Sequence, residues 1–181
     1  MVPAMFVPLT IAMILAGNPD VDEPPVHAHE KLSCPLHRHN LVGLRAIGVA
    51  AFEQGAGRDA KPEGGFGIAY ERTLVPRWLE LEVSFNTMFT ESGPVLPLDI
   101  VFKKPFHLSH RFDPFVGLGG IVAFGVGEES FVAPGMIASA GMYVWAGRRW
   151  GASAEVDYAA LREPEHWIYE LEFAAGPVLR F

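Results

Sequence analysis

The stretch Trp78-Leu-Glu-Leu-Glu-Val-Ser-Phe-Asn86 alternates apolar and polar residues without a break, and that period of two decides what the chain can fold into. Leu79, Leu81, Val83 and Phe85 fall on one side; Glu80, Glu82, Ser84 and Asn86 fall on the other. Wound into a helix, both sets would scatter around the axis, whereas an extended chain gives them one apolar and one polar face. The alternation returns along the sequence. Phe66, Ile68 and Tyr70 oppose Gly65, Gly67, Ala69 and Glu71; Leu96, Leu98, Ile100 and Phe102 oppose Pro97, Asp99, Val101 and Lys103. Trp150, Ala152, Ala154, Val156 and Tyr158 oppose Gly151, Ser153, Glu155 and Asp157. Trp167, Tyr169, Leu171 and Phe173 oppose Ile168, Glu170 and Glu172. Residues 41–52, 115–124 and 136–146 complete the series less cleanly. About eight strands of roughly ten residues, punctuated by Gly, Pro and charges with no helical segment between, predict an all-β antiparallel up-and-down meander.

Such a sheet can bury either face. A soluble barrel with a ligand cavity would put the carboxylates in water, and a transmembrane β-barrel would put the apolar rows in lipid. Three features favour the membrane. The polar rows mix their charges with small residues (Gly65, Gly67, Ala69; Gly117, Gly119, Ala123; Gly151, Ser153), which suits a narrow lumen. Aromatics recur near strand ends at Trp78, Phe89, Phe102, Phe112, Trp150, Tyr158 and Trp167, where interfacial girdles belong. The chain closes on Phe181, in phase with Leu179, Phe173 and Leu171.

The ends and the composition agree. Residues 1–17 are almost wholly apolar and pass through Ala16-Gly17 into Asn18-Pro-Asp20, the pattern of a cleavable signal peptide, although no Lys or Arg precedes the apolar run. Cys34 does not mark a lipoprotein signal, because Lys31 stands where an aliphatic residue belongs and the apolar run ends far upstream. No later window has the 18 or so unbroken apolar residues that a membrane helix requires, so any insertion must be as strands. A net charge of −7 with no basic patch speaks against nucleic acid as a partner. Residues 18–40 read as a flexible, His-rich segment, and 41–181 as the barrel.

Residues 41–181 resemble the small OmpA/OmpX-type outer-membrane β-barrel family. The stretches that carry the likeness are Leu96-Pro-Leu-Asp-Ile-Val-Phe-Lys-Lys-Pro-Phe106, Pro114-Phe-Val-Gly-Leu-Gly-Gly120, Ala154-Glu-Val-Asp-Tyr158 and Ala175-Gly-Pro-Val-Leu-Arg-Phe181. They are loose patterns that specify a barrel and no activity. The resemblance implies a monomer in outer-membrane lipid, with Phe181, Leu179, Phe173 and Leu171 read by the barrel-assembly machinery. It also implies a periplasmic N-terminal segment, outward connections at 53–64, 90–94, 126–134 and 161–165, and periplasmic turns at 73–77, 104–111 and 147–149. Pro177 departs from a regular closing strand and predicts a bulge or an exposed margin there.

Eight strands leave no open channel, because side chains fill the interior. Glu71, Glu80, Glu82, Asp99, Glu155, Asp157, Glu170 and Glu172 would share it with Arg45, Lys103 and Arg180. The acids outnumber the bases, so the network either holds the barrel shut or takes up protons or a cation.

Other motifs offer chemistry. His27-Ala-His29-Glu30, Cys34 and His37-Arg-His39 could supply N, S and O donors to a zinc or copper ion, because residues i and i+2 share a side in extended chain. His107-Leu-Ser-His110 resembles the His-x-Ser arrangement of outer-membrane lipid A deacylases, but it falls in an expected periplasmic turn. Ser130, Glu163 and His166 could be assembled into a triad that nothing in their spacing requires. Gly117-Leu-Gly-Gly120 opens no helix and is no nucleotide loop; its glycines leave room for lumen side chains. The expectation is therefore a non-catalytic outer-membrane barrel with a structural or interaction role and no resident cofactor. The alternatives are a metal-handling role for the His/Cys segment and, more remotely, a lipid hydrolase.

Overall fold

The period of two becomes eight long strands. The computed structural model describes residues 40–53, 62–109, 111–126, 130–163 and 166–181. In chain order come β1 (Asn40–Glu53), β2 (Pro62–Val75), β3 (Leu79–Thr90), β4 (Gly93–Pro105), β5 (Phe112–Gly125), β6 (Phe131–Trp145), β7 (Trp150–Arg162) and β8 (Trp167–Arg180). Each pairs antiparallel with its neighbours in sequence, and β1 pairs with β8, so the sheet closes into a barrel. Strands of 12 to 15 residues, rising about 3.3 Å per residue and tilted by roughly 40°, climb about 30–38 Å, enough for an apolar band about 25 Å tall.

The apolar rows face out. Phe66, Ile68, Val83, Phe85, Ile100, Phe102, Leu118 and Phe173 are exposed, while Glu71, Glu82, Asp99, Lys103 and Glu155 are buried. Seven expected rim aromatics are exposed and fall into two groups. Trp78, Phe102, Phe112 and Trp150 lie near the end that carries Asn40 and Phe181; Phe89, Tyr158 and Trp167 lie near the other.

The strands run longer than the alternation alone predicts. Residues 131–134, expected in an outward connection, belong to β6, and Ala133 is fully buried in the lumen. Pro134 reads as punctuation, yet it stands opposite Val122 near the start of the strand, where a missing N–H is tolerated. Pro105 likewise ends β4 inside the expected 104–111 turn.

The closing seam differs from expectation in kind. Pairing of β1 with β8 runs from Leu41↔Arg180 to Gly43↔Val178 and resumes at Ala46↔Ala175 in the same register. Pro177 therefore makes no bulge. It leaves a gap facing Leu44 and Arg45, while its pairing with Ala152 of β7 continues. Beside it, Gly176 lies so close to β1 that a Cβ there would come within 1.9 Å of the Leu44 carbonyl oxygen. The register shift of the barrel lies instead between Thr73 and Val75, next to the turn where Arg77 takes a left-handed φ of 63°. The chain end is fastened by the Phe181 N–H, which donates to the Asn40 carbonyl at 3.1 Å.

The lumen is layered. Leu41, Phe115, Tyr143, Trp145 and Val178 pack together at the end holding the chain termini of the barrel. Charged and polar residues fill the middle. Ile121, Ala123, Ala133, Ile137 and Leu161, with Ile47, Val49 and Met88 across from them, line the far part.

Gly176→Ala puts a methyl group onto the Leu44 carbonyl, which cannot move without opening the seam, and should cost about 1–3 kcal/mol. Gly120→Ala is its control, since a Cβ there meets nothing nearer than 3.9 Å and points outward. Urea titration of the detergent-folded protein should show the loss in the first variant only.

Candidate functional site

Alternation on β3 sends Glu80, Glu82, Ser84 and Asn86 inward; β4 contributes Asp99 and Lys103, β1 Arg45, β2 Glu71, and β7 Glu155 and Asp157. Lys103 is fully buried. Its Nζ donates to Glu82 Oε2 at 2.6 Å and lies 3.0 Å from Glu155 Oε1. Arg45 Nη2 donates to the same Glu82 oxygen and lies 3.1 Å from Glu155 Oε2. Two cations and two carboxylates thus form a ring across the lumen that ties β1, β3, β4 and β7 together. Its net charge is zero, which is what a buried cluster needs if each ion is to be compensated. The Lys103 ammonium also sits 4.1 Å from the centre of the Phe115 ring. Space for these groups comes from glycine: a Cβ at Gly117 would lie 2.7 Å from Val101 Cγ1 and 3.2 Å from Lys103 Cγ.

Around the ring, Tyr143 donates to Glu71 at 2.5 Å, and Asp99 accepts from Ser84 at 2.7 Å and Asn86 at 2.9 Å. Two positions run against electrostatics. Glu71 stands directly opposite Glu82, and Asp157 opposite Glu172, in neighbouring strands, where like charges destabilise a sheet.

The residues expected in a lumen network fall into more than one place. Arg45, Glu71, Glu80, Glu82, Asp99, Lys103, Glu155, Asp157 and Glu172 are all at most 8% exposed. Arg180 lies apart at the terminal end, its guanidinium 3.7 Å from the centre of the Trp145 ring and 4.0 Å from Asp113. Asp113 also accepts from Trp145 Nε1 at 2.6 Å and meets His107 Nδ1 at 2.9 Å. This cluster was not foreseen from the sequence. Its one signal is size matching across strands: Phe115, two residues after Asp113, stands opposite Gly141, where a Cβ would lie 2.5 Å from the Phe115 ring.

At the other end, Glu170 and Glu172 line a cavity of about 310 Å³ at the mouth of the barrel. Met88, Val95, Phe131 and Ile168 give it apolar walls, and Glu63 and Glu163 also reach it. None of its described lining residues is basic.

The other candidates separate. Ser109 Oγ accepts from the N–H groups of Arg111 at 3.2 Å and Phe112 at 3.1 Å, so it caps a turn, while His107 is engaged with Asp113. Glu163 and His166 lie 3.3 Å apart across the β7–β8 connection, and no hydrogen bond joins Ser130 to either. His27, His29, Cys34, His37 and His39 lie outside the described residues, as does His110. Among the described residues, no three His, Cys, Asp or Glu side chains converge to hold a metal ion. Phe173 and Phe181 stand on the outward row, exposed, with Leu171 and Leu179 half-buried beside them.

An eight-stranded antiparallel closure with this inside-out polarity has solved counterparts. Neisserial surface protein A superposes with a TM-score of 0.64 at 13% identity, over 78% of this chain and 97% of that one. The chain has the fold of the small outer-membrane barrels. Ail of Yersinia pestis, solved with the heparin analogue sucrose octasulfate, superposes at 0.57 with 17% identity, over 79% of this chain and 99% of that one. OprG of Pseudomonas aeruginosa superposes at 0.55 with 12% identity, over 81% and 98%. No family model and no curated protein matches the sequence.

The ring makes a quantitative prediction. Lys103→Met leaves two buried carboxylates on one guanidinium and should cost about 3–5 kcal/mol in urea unfolding. Adding Glu155→Gln restores neutrality and should recover part of that loss, so the two changes are coupled and not additive.

Proposed function

We propose that this chain is an integral outer-membrane barrel with a structural or interaction role and no catalytic activity. The observation that carries the reading is the polarity of the closed sheet: apolar side chains outward between two aromatic rims, with a neutral ion ring across the lumen. In water the outward face would be a large apolar patch; in lipid it is the solvated surface. A closed ladder also leaves no strand edge unpaired, the one sheet arrangement that a bilayer accepts.

The ends of β1 and β8 would then lie on the periplasmic side, with residues 18–40 as a periplasmic segment and Phe181 as part of the signal that the assembly machinery reads. The state of the candidate groups supports a reading without catalysis: Ser109 Oγ is engaged in a turn, and among the described residues no hydrogen bond joins Ser130 to a histidine. A surface role for the mouth would involve a partner unlike that in the Yersinia pestis complex with sucrose octasulfate. That ligand is a polyanion, and this mouth carries four carboxylates.

The test is gel mobility with and without boiling on protein from outer-membrane fractions. A shift on boiling is expected, and deletion of Phe181 should lower the folded fraction in membranes while the same variant still folds in detergent. Recovery of the protein from the soluble periplasm, with no shift, would overturn the reading.

A further inference from the structure

The mouth cavity is built in a way that the membrane reading does not use. It is a cup of about 310 Å³, near the small end of the range for small-molecule sites. Its floor lies above the ion ring and its walls are Met88, Val95, Phe131 and Ile168. Into this space, which Thr90 and Ser92 also line, β8 directs Glu170 and Glu172, two residues apart and therefore on one face.

Glu172 is the decisive group. It is only 8% exposed, it lines the cup, and it has no hydrogen bond or ion pair with any described residue. Its opposite neighbours on the adjoining strands are Asp157 and Val49, and the cation whose field reaches it, Arg45, is committed to Glu82 and Glu155. A carboxylate this far from bulk water, whose nearest cation is shared with two other carboxylates, gains from a cation that enters the cup.

The kind of cation follows from the walls. A bare metal ion wants several oxygens converging on one point, and no such group of three exists among the described residues. The carboxylates come from separate backbone positions instead: the Cα atoms of Glu170 and Glu172 are roughly 6.5–7 Å apart along the strand, and Glu163 and Glu63 stand at the rim. Separated charges joined by apolar surface match a molecule whose ammonium groups are separated by methylenes.

We propose that the cup binds an aliphatic di- or polyamine, with Glu170 and Glu172 taking ammonium groups and the Met88–Ile168 side taking the hydrocarbon chain. Glu163 receives a further amine when the chain is long enough. The ligand enters and leaves at the connection end, away from the Asp113 cluster.

The experiment is calorimetric titration of the full chain, folded in zwitterionic detergent at about 0.15 M salt, where diffuse surface attraction is largely screened. The probes are spermidine, calcium chloride and hexane-1,6-diol. Spermidine should bind saturably at one site, and the uncharged diol should not. Glu170→Gln combined with Glu172→Gln should weaken spermidine about tenfold or more, and Met88→Trp, which fills the cup, should weaken it as well. Should the double variant fail to fold, Glu163→Gln alters a connection outside the ladder and should still weaken spermidine about threefold. Binding that is absent, that is unchanged in both Met88→Trp and the Glu variants, or that calcium displaces at equal concentration, overturns the proposal. The gel-shift test is independent of all these outcomes, so failure here leaves the membrane reading standing.

Discussion

Everything in this molecule depends on the hydrogen-bonded closure of β1 onto β8. Until that seam forms, seven ladders hold a sheet whose two outer edges present unpaired backbone groups, and neither lipid nor a narrow lumen can satisfy them. Once it forms, no edge remains. The seam carries a break of two pairs, where Pro177 cannot donate and Gly176 is pressed against the Leu44 carbonyl. The Phe181 N–H to Asn40 bond lies at one extremity of that seam and holds the final residue of the chain to the first residue of β1. The terminal residue therefore has a mechanical task as well as an outward aromatic ring.

Closure also dictates the interior. A cylinder of eight strands leaves space for side chains and little else, so every inward residue must find its complement among the other inward residues. In the middle this is done by charge, with Lys103 and Arg45 held between Glu82 and Glu155. At the terminal end it is done by shape, with Phe115, Tyr143 and Trp145 packed in series at 4.9 and 5.9 Å between ring centres. The two solutions meet where the Lys103 ammonium rests on the Phe115 ring. Buried ions are weak contributors to stability on their own, but they are strict about who their partners are. A ring that draws one member from each of four strands accordingly discriminates between the correct register and a slipped one, because a slip of any of these strands by one residue turns the member it carries outward and leaves the others uncompensated.

The outward face was legible in the sequence because a simple rule governs it. Leu79, Leu81, Val83 and Phe85 need only be apolar, and a period of two exposes them at once. The lumen follows no such rule, since its rows mix Glu, Gly, Ser and Phe according to what stands opposite. Asp113 and Phe115 are therefore readable as inward residues only with Gly141 and Trp145 beside them, and that adjacency is a property of register. Strand ends were blurred for a related reason. Pro134 and Pro105 signal turns in an open chain but are accommodated near strand ends in a closed one. The carboxylates of β8 were read as one lumen network, yet Glu170 and Glu172 belong to a cup at the mouth, which only the stacking of the layers separates from the ring.

That stacking makes the barrel a blind vessel. An aromatic stopper and a cross-braced ion plate lie beneath the cup, so a solute that enters has one door and must leave by it. An interior filled in this way leaves little room between side chains for a solute to cross from one end to the other. A solute bound there as proposed would equilibrate with one end of the barrel alone, so its occupancy would follow the composition at that end by mass action.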